Sequence, residues 1–379
     1  MPSKNTRCDL ITYFSDIEDP RIDRQKLHAL PDILFIVFCG VICGVDSWAD
    51  FVLFGESKLD LLRRYVPLKN GIPSKNTFQR VITRLNPEAF RTCFLNWVSA
   101  YEQELGRTIA IDGKTLRRSF DTAAKSTAVH MVSAFASEAR LVLAQEKVAE
   151  KSNEITAIPQ VIDMLEIKCS IVTIDAMGCQ RAISEKIINA GGDYVIALKA
   201  NQNTLYKAVA KHFNNTFDMS HCKRVDFFES KERNRNRAEH RKCWVTDAIE
   251  QLALPESWPG MKSCLLIESR RESSGNESVE QRFYISSLEA DAQLHNNLVR
   301  SHWAIENSLH WVMDMVFRED ESRIRCGFGA ENMSLIKHIA LNKLQAAKSE
   351  SKRAISLKGL RKKAGWDDET LHSILQKVI

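Results

Sequence analysis

The sequence predicts an α/β protein: a mixed sheet with helices on its faces, carried behind a long helical segment. Three observations predict it. Apolar residues recur at three and four spacing from residue 8 to about 104; short runs of Val, Ile and Ala replace that pattern after residue 106; and those runs then alternate with amphipathic stretches as far as Leu198. Alternation of this kind builds layered α/β architecture, and strands buried on both faces read as the near-continuous apolar runs seen at 108–111 and 170–174.

The N-terminal segment is helical by period and is broken by Pro20, Pro31, Pro67, Pro73 and Pro87. Its longest apolar run, Ile33 to Val45, has 13 residues, fewer than the roughly 18 that span a bilayer, so it reads as a buried helix. Behind Ser74 or Asn76 as a cap, Phe78, Val81, Ile82 and Leu85 share one helix face. The opposite face carries Gln79, Arg80, Thr83 and Arg84, which suits either a DNA recognition helix or an ordinary solvated face.

The next elements follow in the order β-β-β-α-β-α-β. Thr108 to Ile111 is a strand that ends at Asp112, Val129 to Ala136 and Leu141 to Val148 continue it as a meander, and Asn153 to Leu165 is a helix capped by Ser152 or Asn153. Ser170 to Ile174 is a strand ending at Asp175, Arg181 to Ala190 a helix, and Tyr194 to Leu198 a strand. Residues 223–288 read as a β-rich insertion with an exposed basic hairpin or loop from Lys231 to Lys242. Two long helices, Gln293–Met315 and Asn332–Lys348, precede a basic tail holding Lys352, Arg353, Lys358, Arg361, Lys362 and Lys363, expected to be a solvated appendage within reach of DNA. The predicted division is therefore 1–104 helical, 105–222 first part of an α/β core, 223–288 insertion, 289–350 helical completion of that core, and 351–379 tail.

Composition bounds the function. The chain has 379 residues, 44% hydrophobic and 27% charged, which excludes global disorder and suggests two or three domains or one large domain with an insertion. With 15 Gly and 9 Pro it is neither collagenous nor low in complexity. A formal charge of +5 permits a polyanionic partner without demanding one. The ten cysteines include no CxxC pair and read as reduced thiols of a cytoplasmic chain. No apolar run follows the first seven residues, so neither a secretory signal nor a membrane partner is expected.

Two aspartates, Asp112 and Asp175, each stand at the end of an apolar strand and before small residues. Asp is disfavoured inside strands, and strand ends are where open α/β sheets present ligands. Two carboxylates from neighbouring strands would offer hard oxygen donors suited to Mg²⁺. Further on, Arg300 to Asp314 has a buried stripe of Ile305, Leu309, Val312 and, one turn on, Val316; Glu306 borders it, with His302 and His310 four residues to either side. The zinc-peptidase pattern, with Glu directly after the first His, is absent.

Four segments, Ala110-Ile111-Asp112-Gly113-Lys114-Thr115-Leu116-Arg117, Thr173 to Gln180, Gly191 to Gln202 and His302 to Trp311, resemble in order the DDE transposases of bacterial insertion sequences, most closely the H-repeat-associated group linked to Rhs elements. The resemblance implies a ribonuclease H-like mixed-sheet core with Asp112 on the first strand, Asp175 on the fourth and Glu306 on a later helix, a β-rich insertion, and an associated N-terminal helical domain; DNA binding by that domain is one reading of its Gln79-to-Arg84 face. It implies two Mg²⁺ ions, with Mn²⁺ able to substitute, held by Asp112, Asp175 and Glu306, and cleavage of element ends followed by joining to target DNA. Partners would be the element's terminal repeats and target DNA, bound by a homodimer in a cytoplasmic, nucleoid-associated setting. Expected DNA contacts are Lys114, Arg117, Arg118, Lys199, Asn201, Gln202, Arg300, His302, Arg80 and Arg84. Where many relatives surround the Glu with Tyr, Arg and a following Lys, this chain has Val299, His302 and Met313, so Arg300, Arg318, Arg323 or Arg325 would supply the missing cation. Trp303 and Trp311 suit either base stacking or a core rim. The rival functions are a metal-dependent nuclease that does not join strands and a DNA-binding remnant that does not catalyse.

Overall fold

Proline and glycine delimit the first helices. In the computed structural model, which describes residues 8–24, 26–101, 108–120, 127–149, 152–214, 224–234, 237–273, 276–351 and 353–377, helix α1 covers Asp9–Phe14 and α2 covers Leu30–Cys43. Pro31 sits in the first turn of α2, where its missing N–H costs nothing, and Gly44 ends the helix at φ +96°, which a residue with a Cβ resists. The apolar run is thus a buried helix, as its length requires. The first seven residues, the junction at 102–107 and Lys352 of the expected tail lie outside the described residues.

Helices α3 (Trp48–Ser57), α4 (Leu59–Leu62), α5 (Lys75–Arg84) and α6 (Pro87–Ser99) complete the N-terminal segment; Ser47, Ser74 and Asn86 cap the N-termini of α3, α5 and α6 through their side chains. On α5 the polar face is narrower than expected. Thr83 is buried, its hydroxyl donates to the Gln79 carbonyl at 2.8 Å, and its own carbonyl accepts from Phe328 N at 2.9 Å, so only Gln79, Arg80 and Arg84 remain exposed.

One nine-stranded sheet follows, in the order β3-β2-β1-β4-β5-β9-β8-β7-β6. Strands β1 (Thr108–Thr115), β2 (His130–Ala136) and β3 (Leu141–Lys147) form the antiparallel meander; β4 (Ile171–Ile174) lies parallel to β1 and β5 (Asp193–Leu198) parallel to β4. Helices α7 (Glu154–Asp163) and α8 (Arg181–Asn189) make the crossovers, and α9 (Asn203–Asn214) leads away from β5. The insertion is two long hairpins, β6 (Val225–Asn234) with β7 (Arg237–Thr246) and β8 (Ser263–Ser273) with β9 (Asn276–Ser286). They extend the core sheet, because Phe283–Ser286 of β9 pair with Val195–Leu198 of β5. The stretch expected to be basic is largely neutralised: Glu229 pairs with Lys231 and His240, and Glu239 with Arg241 and Arg271.

Helix α10 (Ala292–Ala304) lies across one face of this sheet over β6, β7, β1 and β4, burying Leu298 and Val299 against Val195, Cys243 and Ile267. It continues as a π-helical turn, Ile305–His310, and then as α11 (Trp311–Met315). Helix α12 (Gly329–Ser349) runs through the other core, against α2, α5, α6 and β3. The expected tail is a correction. Residues 357–375 fold as α13 (Leu357–Trp366) and α14 (Asp368–Leu375), burying Leu357, Leu360, Ala364, Leu371 and Ile374. Arg361, counted among the tail's cations, donates to the carbonyls of Val316 and Val41 and lies over the Phe317 ring. Leucines at three and four spacing outweighed the charge there. No single helix among the described residues is long and apolar enough to cross a membrane, and the nine described cysteines are unpaired.

Polar groups on α12 tie the segments together. Asn332 donates to the Ile82 and Leu85 carbonyls, and Asn342 satisfies both Val142 N and Val142 O on edge strand β3 at 2.9 Å. Lys343, with 0% of its side chain exposed, pairs with Asp9 at 2.6 Å, and Asp9 also accepts from Trp97 Nε1 at 2.8 Å. Replacing Asp9 with Asn strands a buried ammonium, so Asp9→Asn should lower unfolding stability by about 3–5 kcal/mol. Urea titration at pH 7 reads this, and an unshifted midpoint would refute it.

Candidate active site

The parallel register sets the site. Ile111 of β1 lies beside Ile174 of β4, so the next residues, Asp112 and Asp175, leave the shared ladder side by side. Asp112 does not end its strand, as the sequence suggested. Its pairing with β2 continues through Thr115, opposite His130, while Asp175 turns into a loop whose Met177 and Gly178 N–H groups donate to Oδ1 at 3.0 and 3.3 Å. Gly113 N donates to Asp112 Oδ1 at 2.9 Å.

A third carboxylate joins them. Asn153 caps α7 by accepting from Ile155 N, and the following Glu154 points back to the strand ends, so that ligand oxygens of Asp112, Glu154 and Asp175 all lie within 4.8 Å of one another. Glu306, at the start of the π-helical turn, is outside that group but lines the same cavity of about 370 Å³ with Asp112 and Asp175. Sequence reasoning missed Glu154. An acid in the first turn of a helix has an ordinary explanation in the helix dipole, and the register that carries α7 to β1 is not written locally.

Electrostatics follow from the crowding. Burial, then the charges of Asp175, Glu154 and Glu306 against one stabilising backbone N–H, push the Asp112 carboxyl up to about 7. Asp175 is raised by burial and by Glu154, and Glu306 by burial and Asp175 against the opposing charge of Arg282. Carboxylates driven together, with hard oxygens as the only donors, fit a divalent cation such as Mg²⁺. The two histidines beside Glu306 do not compete for it as cations: burial holds both His302 and His310 down to about 4. His302 Nδ1 lies 3.0 Å from Thr173 Oγ1 and His310 Nδ1 3.6 Å from Asp112 Oδ2.

Several expected DNA contacts have partners within the protein, though Arg117 and Arg300 stay exposed. Lys114 is mostly buried between Asp314 and Glu319, Arg117 pairs with Asp320 at 3.3 Å, and Arg300 pairs with Glu232 of β6. Asn201 donates to the Ala176 carbonyl at 2.7 Å and Gln202 to that of Cys179 at 2.9 Å, so both brace the loop that carries Asp175. The half-buried, neutral His302 offers no charge to a phosphate. Lys199, Arg118, Arg80 and Arg84 are exposed, and Lys199 lines the cavity. Of the substitute cations, Arg318 pairs with Glu321, Arg325 donates to the Arg118 carbonyl, and Arg323 is exposed. Sequence reasoning also missed Arg282, whose guanidinium stacks 4.4 Å over Trp303 at the cavity wall; Trp311 stands 57% exposed.

Comparison with known proteins bears on this site. Residues 11–98 match the family model described as DDE_Tnp_1-associated, and residues 103–343 the one described as Transposase DDE domain. The chain is 39% identical over 377 residues to the "H repeat-associated putative transposase YhhI" of Escherichia coli (strain K12), covering 97% of each chain. It is 42% identical over 345 residues to the "Putative transposase YncI" of Escherichia coli O157:H7, covering 89% of this chain and 88% of that one. Among solved structures, a chain of the piggyBac transposase synaptic complex with hairpin DNA superposes over 97% of this chain and 76% of its own at 10% identity and a TM-score of 0.43, a likeness too weak to argue from.

Because the folded Asp112 carboxyl holds its proton more tightly than an unfolded one, the metal-free fold binds the extra proton and loses stability as pH rises from 3.8 to about 7. Asp112→Asn should therefore stabilise the metal-free protein by roughly 1–3 kcal/mol at pH 8 and by much less at pH 5. Thermal unfolding in chelator at the two pH values measures this; equal gains at both would show that the raised Asp112 carboxyl is not the cause.

Proposed function

Since the chain belongs to the DDE transposase family, we propose that the acidic cavity cuts DNA at the ends of a mobile element and joins those ends to target DNA. The observation that carries the reading is the side-by-side exit of Asp112 and Asp175 from neighbouring parallel strands, with Glu306 on the wall of the same cavity. The order β3-β2-β1-β4-β5, with β1, β4 and β5 parallel and β2 and β3 antiparallel, supports a ribonuclease H-like core over residues 105–222 completed by 289–350. On this reading 223–288 is an insertion that widens the core sheet, and 1–104 is an associated helical domain.

Asp112, Asp175 and Glu306 would hold two Mg²⁺ ions, with Mn²⁺ able to take their place. When bound, such ions supply Lewis-acid charge to a phosphodiester and keep the carboxylates ionised. The protein's own groups position the DNA. Lys199 at the cavity and the Arg282–Trp303 stack offer a phosphate contact and a surface for an unpaired base, and the exposed Arg80 and Arg84 of α5 offer a further phosphate contact. Two successive substitutions at phosphorus suit one such cavity: hydrolysis that frees a 3′-hydroxyl, then attack of that hydroxyl on target DNA, with no covalent bond to the protein. The partners are double-stranded element ends and target DNA, and bringing two ends together calls for a homodimer.

Full-length protein with Mg²⁺, element-end duplex and plasmid should yield nicked ends and joined product. Asp175→Asn should lower the cleavage rate by about 100-fold or more, ~2.7 kcal/mol of barrier, while duplex binding persists. Cleavage without joined product would make the protein a nuclease, and binding without cleavage by the wild type would make it a DNA-binding remnant.

A further inference from the structure

The cluster that draws its oxygens closest is not the set the family resemblance picks out. Glu154, from the first turn of α7, shares the 4.8 Å group with Asp112 and Asp175, and Glu306 does not. Two further features hold Glu154 there. Its Oε1 lies 2.7 Å from His130 Nε2, and His130 Nδ1 lies 2.8 Å from Thr115 Oγ1, so a ring that donates from Nε2 to the carboxylate accepts the threonine hydroxyl at Nδ1. The chain also leaves a slot for the pair. A Cβ on Gly113 would stand 2.1 Å from Glu154 Oε1 and 2.7 Å from His130 Nε2, so with any larger residue beside Asp112 both side chains would have to shift from these positions.

A carboxylate set among its like, oriented by a histidine that is itself oriented, has the arrangement of a metal ligand with its supporting shell. We infer that Glu154 is a further ligand of the divalent cation in this site, that His130 is its positioning residue, and that in the DNA-free chain Asp112, Glu154 and Asp175 form the resting cation site, with Glu306 contributing less. This rests on reading the cavity as the metal centre of a DDE transposase. A helix cap role for Glu154 does not account for the geometry, since Asn153 already caps α7 and the Glu154 side chain turns toward β1.

The test is Mn²⁺ binding to the full-length, DNA-free protein, by calorimetry and by the electron paramagnetic resonance of free Mn²⁺. Glu154→Gln should weaken binding by about tenfold or more, His130→Ala by a smaller factor, and Glu306→Gln by less than Glu154→Gln. Should Glu154→Gln fail to fold by circular dichroism, Glu154→Asp, a methylene too short to reach, gives the same comparison. Wild-type Mn²⁺ affinity in the Glu154 variant, with affinity lost in Asp112→Asn and Asp175→Asn, overturns the assignment of Glu154 and leaves the reading of the cavity intact. Unchanged affinity in all of these variants overturns that reading itself.

Discussion

The fold's other features answer to one constraint: carboxylates brought together at the end of a parallel ladder must be kept from pushing it apart. Pairing of Ile111 with Ile174 gives Asp112 and Asp175 no choice of neighbour, and the arrival of Glu154 adds a third charge. What offsets the repulsion is local. Backbone N–H groups of Gly113, Met177 and Gly178 donate to the aspartates, and Asn201 and Gln202 fasten the loop behind Asp175 from the turn that follows β5. Burial first, and then the neighbouring charges, leave the Asp112 carboxyl raised. The arrangement persists because the strands beneath it are buried on both faces and cannot separate without exposing the core.

Two helices hold that core, on opposite terms. Helix α12 works by specific polar ties, reaching the edge strand through Asn342, α5 and the turn behind it through Asn332, and α1 through Lys343. Each of these side chains is buried and hydrogen-bonded, so displacing the helix would leave several unsatisfied groups at once. Helix α10 works by area. It packs over strands of both the core and the hairpins, which the pairing of β5 with β9 has joined into one sheet. The π-helical turn at its end is where this covering ends and the cavity begins: Ile305 and Leu309 remain buried while Glu306 is exposed at the cavity. Widened turns of this kind are uncommon and cluster at functional positions.

What the sequence disclosed was whatever is encoded locally. The buried α2 followed from run length, the Ser74 cap and the apolar face of α5 from spacing, and the strands from their Val and Ile runs, with β2 and β3 displaced by a single residue but β1 running on past Asp112 to Thr115. What stayed hidden was pairing. Nothing near Lys114 announces Asp314 two hundred residues on, nothing near Arg300 announces Glu232, and Glu154 looks like an acid serving a helix dipole until β1 is laid beside it. The tail illustrates a different failure. Its lysines suggested solvent, but apolar Leu357, Leu360 and Ala364 at three and four spacing decide burial, and Lys358, Lys362 and Lys363 lie on the exposed side of the same helix.

Charge shows the same limit. A surplus of +5 spread over 379 residues conveys little until the pairs are subtracted. The hairpins, which looked basic, are laced with Glu229, Glu239, Glu277 and Glu280 against their own arginines, lysine and histidine, so their outer surface carries little net field. Exposed cations that the expected DNA contacts include lie elsewhere, among them Arg80 and Arg84 on α5 and Lys199 at the cavity. If the cavity handles DNA as proposed, the duplex is gripped at these two places. The hairpins then serve to widen the sheet on which α10 rests, and through α10 they fix where Glu306 meets the aspartates.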